Sequence, residues 1–153
     1  GATISYTRLS ARYVATPVNG EDIARFCNQR KVFWSCGWGS LPGIARVEEM
    51  GCEIVKLFPG AIYGPKFVRS IKGPQPWTSL MPTGGVSPDL ESLRSWFSAG
   101  VTCVGMGSQL ITGEILRSQD YDRLTELTRE TIEIIASLRA GQPHGAPQFS
   151  SAV

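Results

Sequence analysis

The sequence has little histidine and little lysine. Its one histidine, His144, lies near the C-terminus, and four lysines stand against eleven arginines. The four cysteines, Cys27, Cys36, Cys52 and Cys103, make no CxxC pair and sit in or beside apolar segments. No metal site and no dithiol redox centre are therefore expected, and buried reduced thiols are. No apolar run approaches the roughly 18 to 20 residues of a spanning helix, and the N-terminus lacks the charged-then-apolar pattern of a signal peptide, so a cytoplasmic protein is expected. An excess of one charge is missing too: 15 Lys and Arg face 13 Asp and Glu, for a net charge of +2. The basic residues are dispersed, which excludes the electrostatic footprint of a nucleic-acid or membrane partner.

What is present is 42% hydrophobic residues in 153, enough for one core. That length suits a complete doubly wound domain and is short for an eight-stranded α/β barrel, which takes about 200 or more. From Arg12 onward, short apolar runs alternate with amphipathic stretches. The runs are 13–17, 32–36, 54–58, 79–83 and 102–106, largely uncharged and rich in β-branched or aromatic residues, as strands buried on both faces are. Helices are expected over 21–29, 41–50, 64–71, 90–99 and 121–140, which makes the strands parallel with right-handed crossovers. Ser87 reads as the N-cap of the fourth helix, with Pro88 and Asp89 in its first turn. Gly51 and Gly100 fall where left-handed C-caps are expected. In the last helix Leu124, Leu127, Thr131, Ile134 and Leu138 share one face, which packs on the sheet. The tail from Gly141 is expected to be disordered and His144 solvated. Runs recurring every 19 to 25 residues without long insertions favour a barrel, with an open flavodoxin-like sheet as the alternative.

One charged side chain, Lys56, interrupts the five runs. A lysine in a doubly buried strand is costly, and desolvation favours its neutral amine, the form that attacks a carbonyl to make a Schiff base. The plain alternative is an outward-facing lysine whose ammonium reaches water. Two glycine clusters follow the last two runs, Pro82-Thr83-Gly84-Gly85 and Gly105-Met106-Gly107-Ser108. Glycines at strand C-termini let backbone N–H groups approach an anion, and the last two strand loops of an α/β barrel are the usual phosphate cradle. Either cluster alone reads equally as turn punctuation. Of the tryptophans, Trp34, Trp77 and Trp96 are packing candidates, and Trp38, after Gly37, either lines a site mouth or, as is favoured, packs in the core or an interface.

Ile54-Val55-Lys56-Leu57-Phe58-Pro59, Pro82-Thr83-Gly84-Gly85-Val86 and Gly107-Ser108, in this order and spacing, closely resemble the 2-keto-3-deoxy-6-phosphogluconate/4-hydroxy-2-oxoglutarate aldolases. The resemblance runs from about Arg12 to Arg139. It implies a (β/α)8 TIM-type barrel, a class I aldolase that needs no metal or cofactor, and a homotrimer. Lys56 matches the Schiff-base lysine. Thr83, Gly84, Gly85, Gly107 and Ser108 match residues around the substrate phosphate. Pro17 matches a residue beside the pyruvate moiety, and Thr3 a substrate-contacting threonine. The implied reaction cleaves a phosphorylated 2-oxo acid to pyruvate and glyceraldehyde 3-phosphate, with 4-hydroxy-2-oxoglutarate as a further substrate.

Two features depart from the family pattern. The glutamate acid/base and the arginine that the family carries on an early strand have no counterpart, and Cys36 replaces a proline before Gly37. No carboxylate falls at a strand's C-terminal end, within the roughly 3 Å that proton transfer needs. The expectation is therefore about five βα units of a TIM-type barrel, with the N-terminal units missing. Residues 1–11 would be a remnant of an early unit, 12–140 the C-terminal units and 141–153 a tail. A partial record of a longer aldolase is favoured over a true half-barrel. The alternatives are a catalytically incomplete, phosphate-binding or oligomeric scaffold, and an isomerase or synthase on the same fold.

Overall fold

A computed structural model describes residues 12–16 and 20–141. The positions expected for Thr3, Pro17, Asn19 and His144, and the remnant and tail segments 1–11 and 142–153, lie outside the described residues. The elements in chain order are β1 (Tyr13–Thr16), α1 (Glu21–Arg30), β2 (Phe33–Cys36), α2 (Leu41–Glu49), β3 (Val55–Leu57), α3 (Gly60–Lys72), β4 (Leu80–Pro82), α4 (Leu90–Ser98), α5 (Gly113–Ser118) and α6 (Tyr121–Ala140). β1 pairs in parallel with β2, and β3 with β4. A parallel bridge between Gly37 and Lys56 joins the two pairs, and another between Thr83 and Gly105 extends them. Strand order thus follows chain order, each strand beside the next with a helix between, which is the staircase of a βα barrel.

The strands bury one face deeply. Val14, Trp34, Cys36, Val55, Leu57 and Leu80 join Ile44 and Val47 of α2, Val68 and Ile71 of α3, and Leu93, Trp96 and Phe97 of α4 in one core. The alternate residues Tyr13, Ala15, Lys56 and Met81 stay out of it, exposed or half-buried on the face away from the helices. On that face Tyr13 stacks on Phe33 with ring centroids 5.1 Å apart, and its hydroxyl bonds the buried Ser35 hydroxyl. All four cysteines are free thiols, three buried and Cys103 half-buried.

Helix ends follow local chemistry. Gly51 and Gly100 take φ of +89° and +95° just past α2 and α4, as expected of left-handed caps. In α6, Leu124, Leu127, Ile134 and Leu138 are half-buried around the buried Thr131, which meets its hydrogen-bonding need by donating to the Leu127 carbonyl (2.6 Å). Arg139 fastens the other end of α6, donating to the Thr102 carbonyl (2.6 Å) while its guanidinium lies over Phe97.

Four details depart from the sequence reading. The N-cap of α4 is Asp89, not Ser87: the Asp89 carboxylate accepts from the Ser92 N–H (2.8 Å), and the Ser92 hydroxyl takes the Ser87 N–H (3.1 Å). Pro88 precedes the cap, and the helix itself starts at Leu90 as expected. α3 is broken at Gly64 (φ 68°, ψ 171°), where Pro65 begins the regular part anticipated from the sequence. The extra turn before it exists because Gly60 and Ala61 donate to the Thr83 and Gly84 carbonyls (2.8 Å each), a tertiary contact that no local propensity reveals. The fifth run is not a regular strand: Thr102 and Gly105 bond the Leu80 and Pro82 carbonyls, but glycine at 105 and 107 leaves only one bridge. The short α5, capped by Thr112 accepting from the Ile115 N–H, was not anticipated.

The corrected cap is testable. Asp89→Ala is expected to cost about 1 kcal/mol in urea unfolding. Ser87→Ala removes a hydroxyl that caps nothing, and should change stability by less than about 0.5 kcal/mol.

Candidate active site

The candidate residues gather because parallel strands end together. Lys56 is the middle residue of β3, between the fully buried Val55 and Leu57, so the period of two turns its side chain to the face opposite the helices. Its register partners there are Gly37, which has no side chain, and Met81. Lys56 is half-buried and makes no ion pair among the described residues. Its Nζ instead sits 5.2 Å from the centroid of the Phe58 ring.

The two glycine clusters lie beside it. The Thr83 N–H donates to the Leu57 carbonyl (2.9 Å), so the Pro82-Thr83-Gly84-Gly85 turn leaves β4 next to the strand that carries Lys56. Gly84 and Gly85 have φ of +80° and +78°, a conformation that favours glycine. The approach is close: a Cβ on Gly85 would stand 2.4 Å from the Ala61 Cβ, and one on Gly60 2.6 Å from the Gly84 carbonyl oxygen. Thr83 lies over Gly105, and its hydroxyl is buried without a partner. The backbone N–H groups of Gly85, Gly107 and Ser108 likewise take no partner among the described residues, while the Gly107 carbonyl accepts from Leu110 and Ile111. A buried hydroxyl without a partner beside unspent N–H donors is a donor set suited to an anion.

Trp38 does not line a mouth. Its N–H donates to the Lys56 carbonyl (3.0 Å), its ring packs where a side chain on Gly43 would be, and its indole nitrogen is buried without a partner. Cys36, in the position of the family proline, points into the core. Interaction between its thiol and that of Cys52 raises the pKa of Cys36 and lowers that of Cys52, and the Cys52 thiol donates to the Ile54 carbonyl (3.3 Å). Thr3 and Pro17 lie outside the described residues, so the geometry brings together Lys56, Thr83, Gly84 and Gly85, with Gly105 against Thr83 and Gly107 and Ser108 following it in the chain. Phe58 went unremarked in the sequence reading. Its signal was there, two residues beyond Lys56 and hence on the same side of an extended chain.

The family profile of the KDPG and KHG aldolases matches residues 4–127. The chain belongs to this family. It is 38% identical over 104 residues to the KHG/KDPG aldolase of Escherichia coli K12, an alignment that covers 61% of this chain and 46% of that one. A solved structure titled native KDPGal superposes with a TM-score of 0.81 at 20% identity, over 91% of this chain and 65% of the other. A cube-shaped cage designed by fusing symmetric oligomeric domains gives 0.79 at 20% identity, over 91% and 50%. The two superpositions show a shared α/β fold of the TIM-barrel type. The chain spans about half the length of the curated aldolase it matches.

Within this aldolase fold the two glycine turns differ in tolerance. Gly85→Ala combines a positive φ with a clash against Ala61, and is expected to cost roughly 2 to 3 kcal/mol in thermal unfolding. Gly107→Ala meets open space within 4 Å and should cost less than about 1 kcal/mol.

Proposed function

We propose that the chain carries the Schiff-base half of a class I aldolase acting on a 2-keto-3-deoxy-6-phospho sugar acid, with 4-hydroxy-2-oxoglutarate as a further substrate. The observation that carries this reading is Lys56: an amine on the face opposite the core, without a carboxylate partner, one strand from a turn of unspent hydrogen-bond donors. In this reading the Lys56 Nζ attacks the C2 carbonyl and water leaves, giving a cationic iminium. Loss of the 4-hydroxyl proton then breaks the C3–C4 bond, and the electron pair moves into the iminium to give an enamine. Glyceraldehyde 3-phosphate departs, the enamine is protonated at C3, and hydrolysis frees pyruvate and Lys56. The Thr83 hydroxyl and the N–H groups of Gly85, Gly107 and Ser108 hold the phosphate, with Gly84 shaping the turn. Thr3 and Pro17 contact the pyruvate end. No metal or cofactor enters this scheme.

The 12–140 segment would then be the C-terminal five βα units of the barrel, with the proton-transfer group carried by earlier units of a longer chain. A homotrimer is consistent with the fold's appearance among symmetric oligomeric domains and with Trp77, which stands 69% exposed. Phe67 instead packs against the core, its ring tilted 38° to that of Tyr63 with centroids 4.8 Å apart. The cytoplasm is the proposed compartment, where four free thiols persist. Among the described residues no helix is long and apolar enough to cross a membrane.

A second reading, a phosphate-binding scaffold without turnover, rests on the buried, unpartnered Thr83 hydroxyl alone, which would bind an anion whether or not Lys56 reacts. Pyruvate with borohydride separates the two. Trapping should add about 72 Da at Lys56, the mass of pyruvate less water plus two hydrogens, and Lys56→Met should abolish it. Folded protein that binds phosphate but leaves Lys56 unmodified would overturn the aldolase reading in favour of the scaffold.

A further inference from the structure

Phe58 stands 44% exposed immediately after β3 and outside the buried core. Leaving a phenyl ring half in water forfeits part of the gain from burying it, so packing alone accounts poorly for its placement. Its surroundings are specific. The Lys56 Nζ lies 5.2 Å from the ring centroid, inside the roughly 6 Å range of a cation–π contact. The ring also borders Gly84, where an added Cβ would stand 3.5 Å from Cε2 and 3.8 Å from Cδ2. The ring therefore spans from the amine to the glycine turn. Register places Gly37 and Met81 beside Lys56, neither of which bears charge.

We propose that Phe58 is a positioning residue for the Schiff-base chemistry: its ring face carries the cationic nitrogen of Lys56, as iminium once a 2-oxo acid has condensed, and holds it against the Thr83–Gly85 turn. This rests on the reading of Lys56 as the nucleophile and adds how its charge is held. A carboxylate partner would bind the ammonium and compete with substrate for the nitrogen. A ring quadrupole attracts the cation without accepting a proton or a hydrogen bond, so the nitrogen is steadied in its charged states and released in its neutral one. The condensation balances without a co-reactant: the ammonium releases one proton, the neutral nitrogen bonds C2, the carbonyl oxygen takes that proton and one N–H hydrogen and leaves as water, and the positive charge remains over the ring.

The experiment replaces Phe58 by 4-fluoro-, 3,5-difluoro- and 3,4,5-trifluorophenylalanine in the 153-residue chain, together with F58Y and F58L, and measures the fraction of Lys56 trapped by borohydride at a fixed, subsaturating pyruvate concentration. Fluorine drains the ring quadrupole with little change of shape, so a packing role would leave the series flat. Trapping is expected to fall stepwise with fluorine count, reaching a loss of about two- to fivefold in the trifluoro protein. F58L should lose a similar amount and F58Y little, with unfolding midpoints unchanged along the fluorinated series. Equal trapping across the series, in a protein whose Lys56 is trapped normally with Phe58, overturns this proposal alone. A Phe58 protein that traps no pyruvate overturns the Schiff-base reading, and this proposal with it.

Discussion

Val55 and Leu57 are both fully buried, and the side chain between them faces the other way. That alternation is the constraint on which the rest depends. Burying each aliphatic side chain is worth about 1.5 to 3 kcal/mol, and driving an unpaired ammonium into the same apolar layer would cost several more. A one-residue slip of β3 would exchange the two outcomes, so the register that puts Lys56 on the face opposite the helices is enforced by the core rather than by anything at the site. The bonds from Thr83 to the Leu57 carbonyl and from Trp38 to the Lys56 carbonyl then tie both neighbouring strand ends to this register. Nothing polar has to be spent on Lys56 itself, which leaves its nitrogen uncommitted.

Close backbone approach is the second element, and it concentrates at one end of the strands. Gly60 and Gly85 let the start of α3 meet the turn after β4, and the Gly60 and Ala61 N–H groups are consumed by the Thr83 and Gly84 carbonyls. The helix terminus nearest Lys56 is thereby filled by protein, and the N–H groups left without partners among the described residues include those of Gly85, Gly107 and Ser108. Gly39 and Gly43 act similarly one strand earlier, clearing space for the Tyr63 ring and the Trp38 indole. Aromatic packing and glycine turns thus both border the end of β3 that carries Lys56.

Much of this was legible in the sequence, for reasons that differ by feature. Lys56 stood out because one charge among five apolar runs is a local signal, and the glycine turns because positive φ selects glycine. The strand order followed from βα alternation, which carries its own handedness. What escaped was tertiary. Asp89 outcompetes Ser87 as the cap because the Ser92 hydroxyl closes the turn from the other side, a reciprocal pair that neither residue announces alone. The extra turn of α3 depends on carbonyls 23 residues away. The fifth run was written as a strand from its apolar content, but its alternating glycines give the ladder too little to hold.

The chemistry divides along the same line as the fold. In the proposed reading, forming an iminium requires only an amine, which Lys56 supplies, and the carbonyl of the substrate. Cleaving the carbon–carbon bond further requires a base within about 3 Å of the 4-hydroxyl, directly or through one water. The described part of the chain places no acid beside Lys56, and the family relative from Escherichia coli is about twice the matched length. A cation held by a ring rather than by a carboxylate suits that division. It keeps the electron sink independent of any acid, so the same lysine can serve whichever strand brings the base.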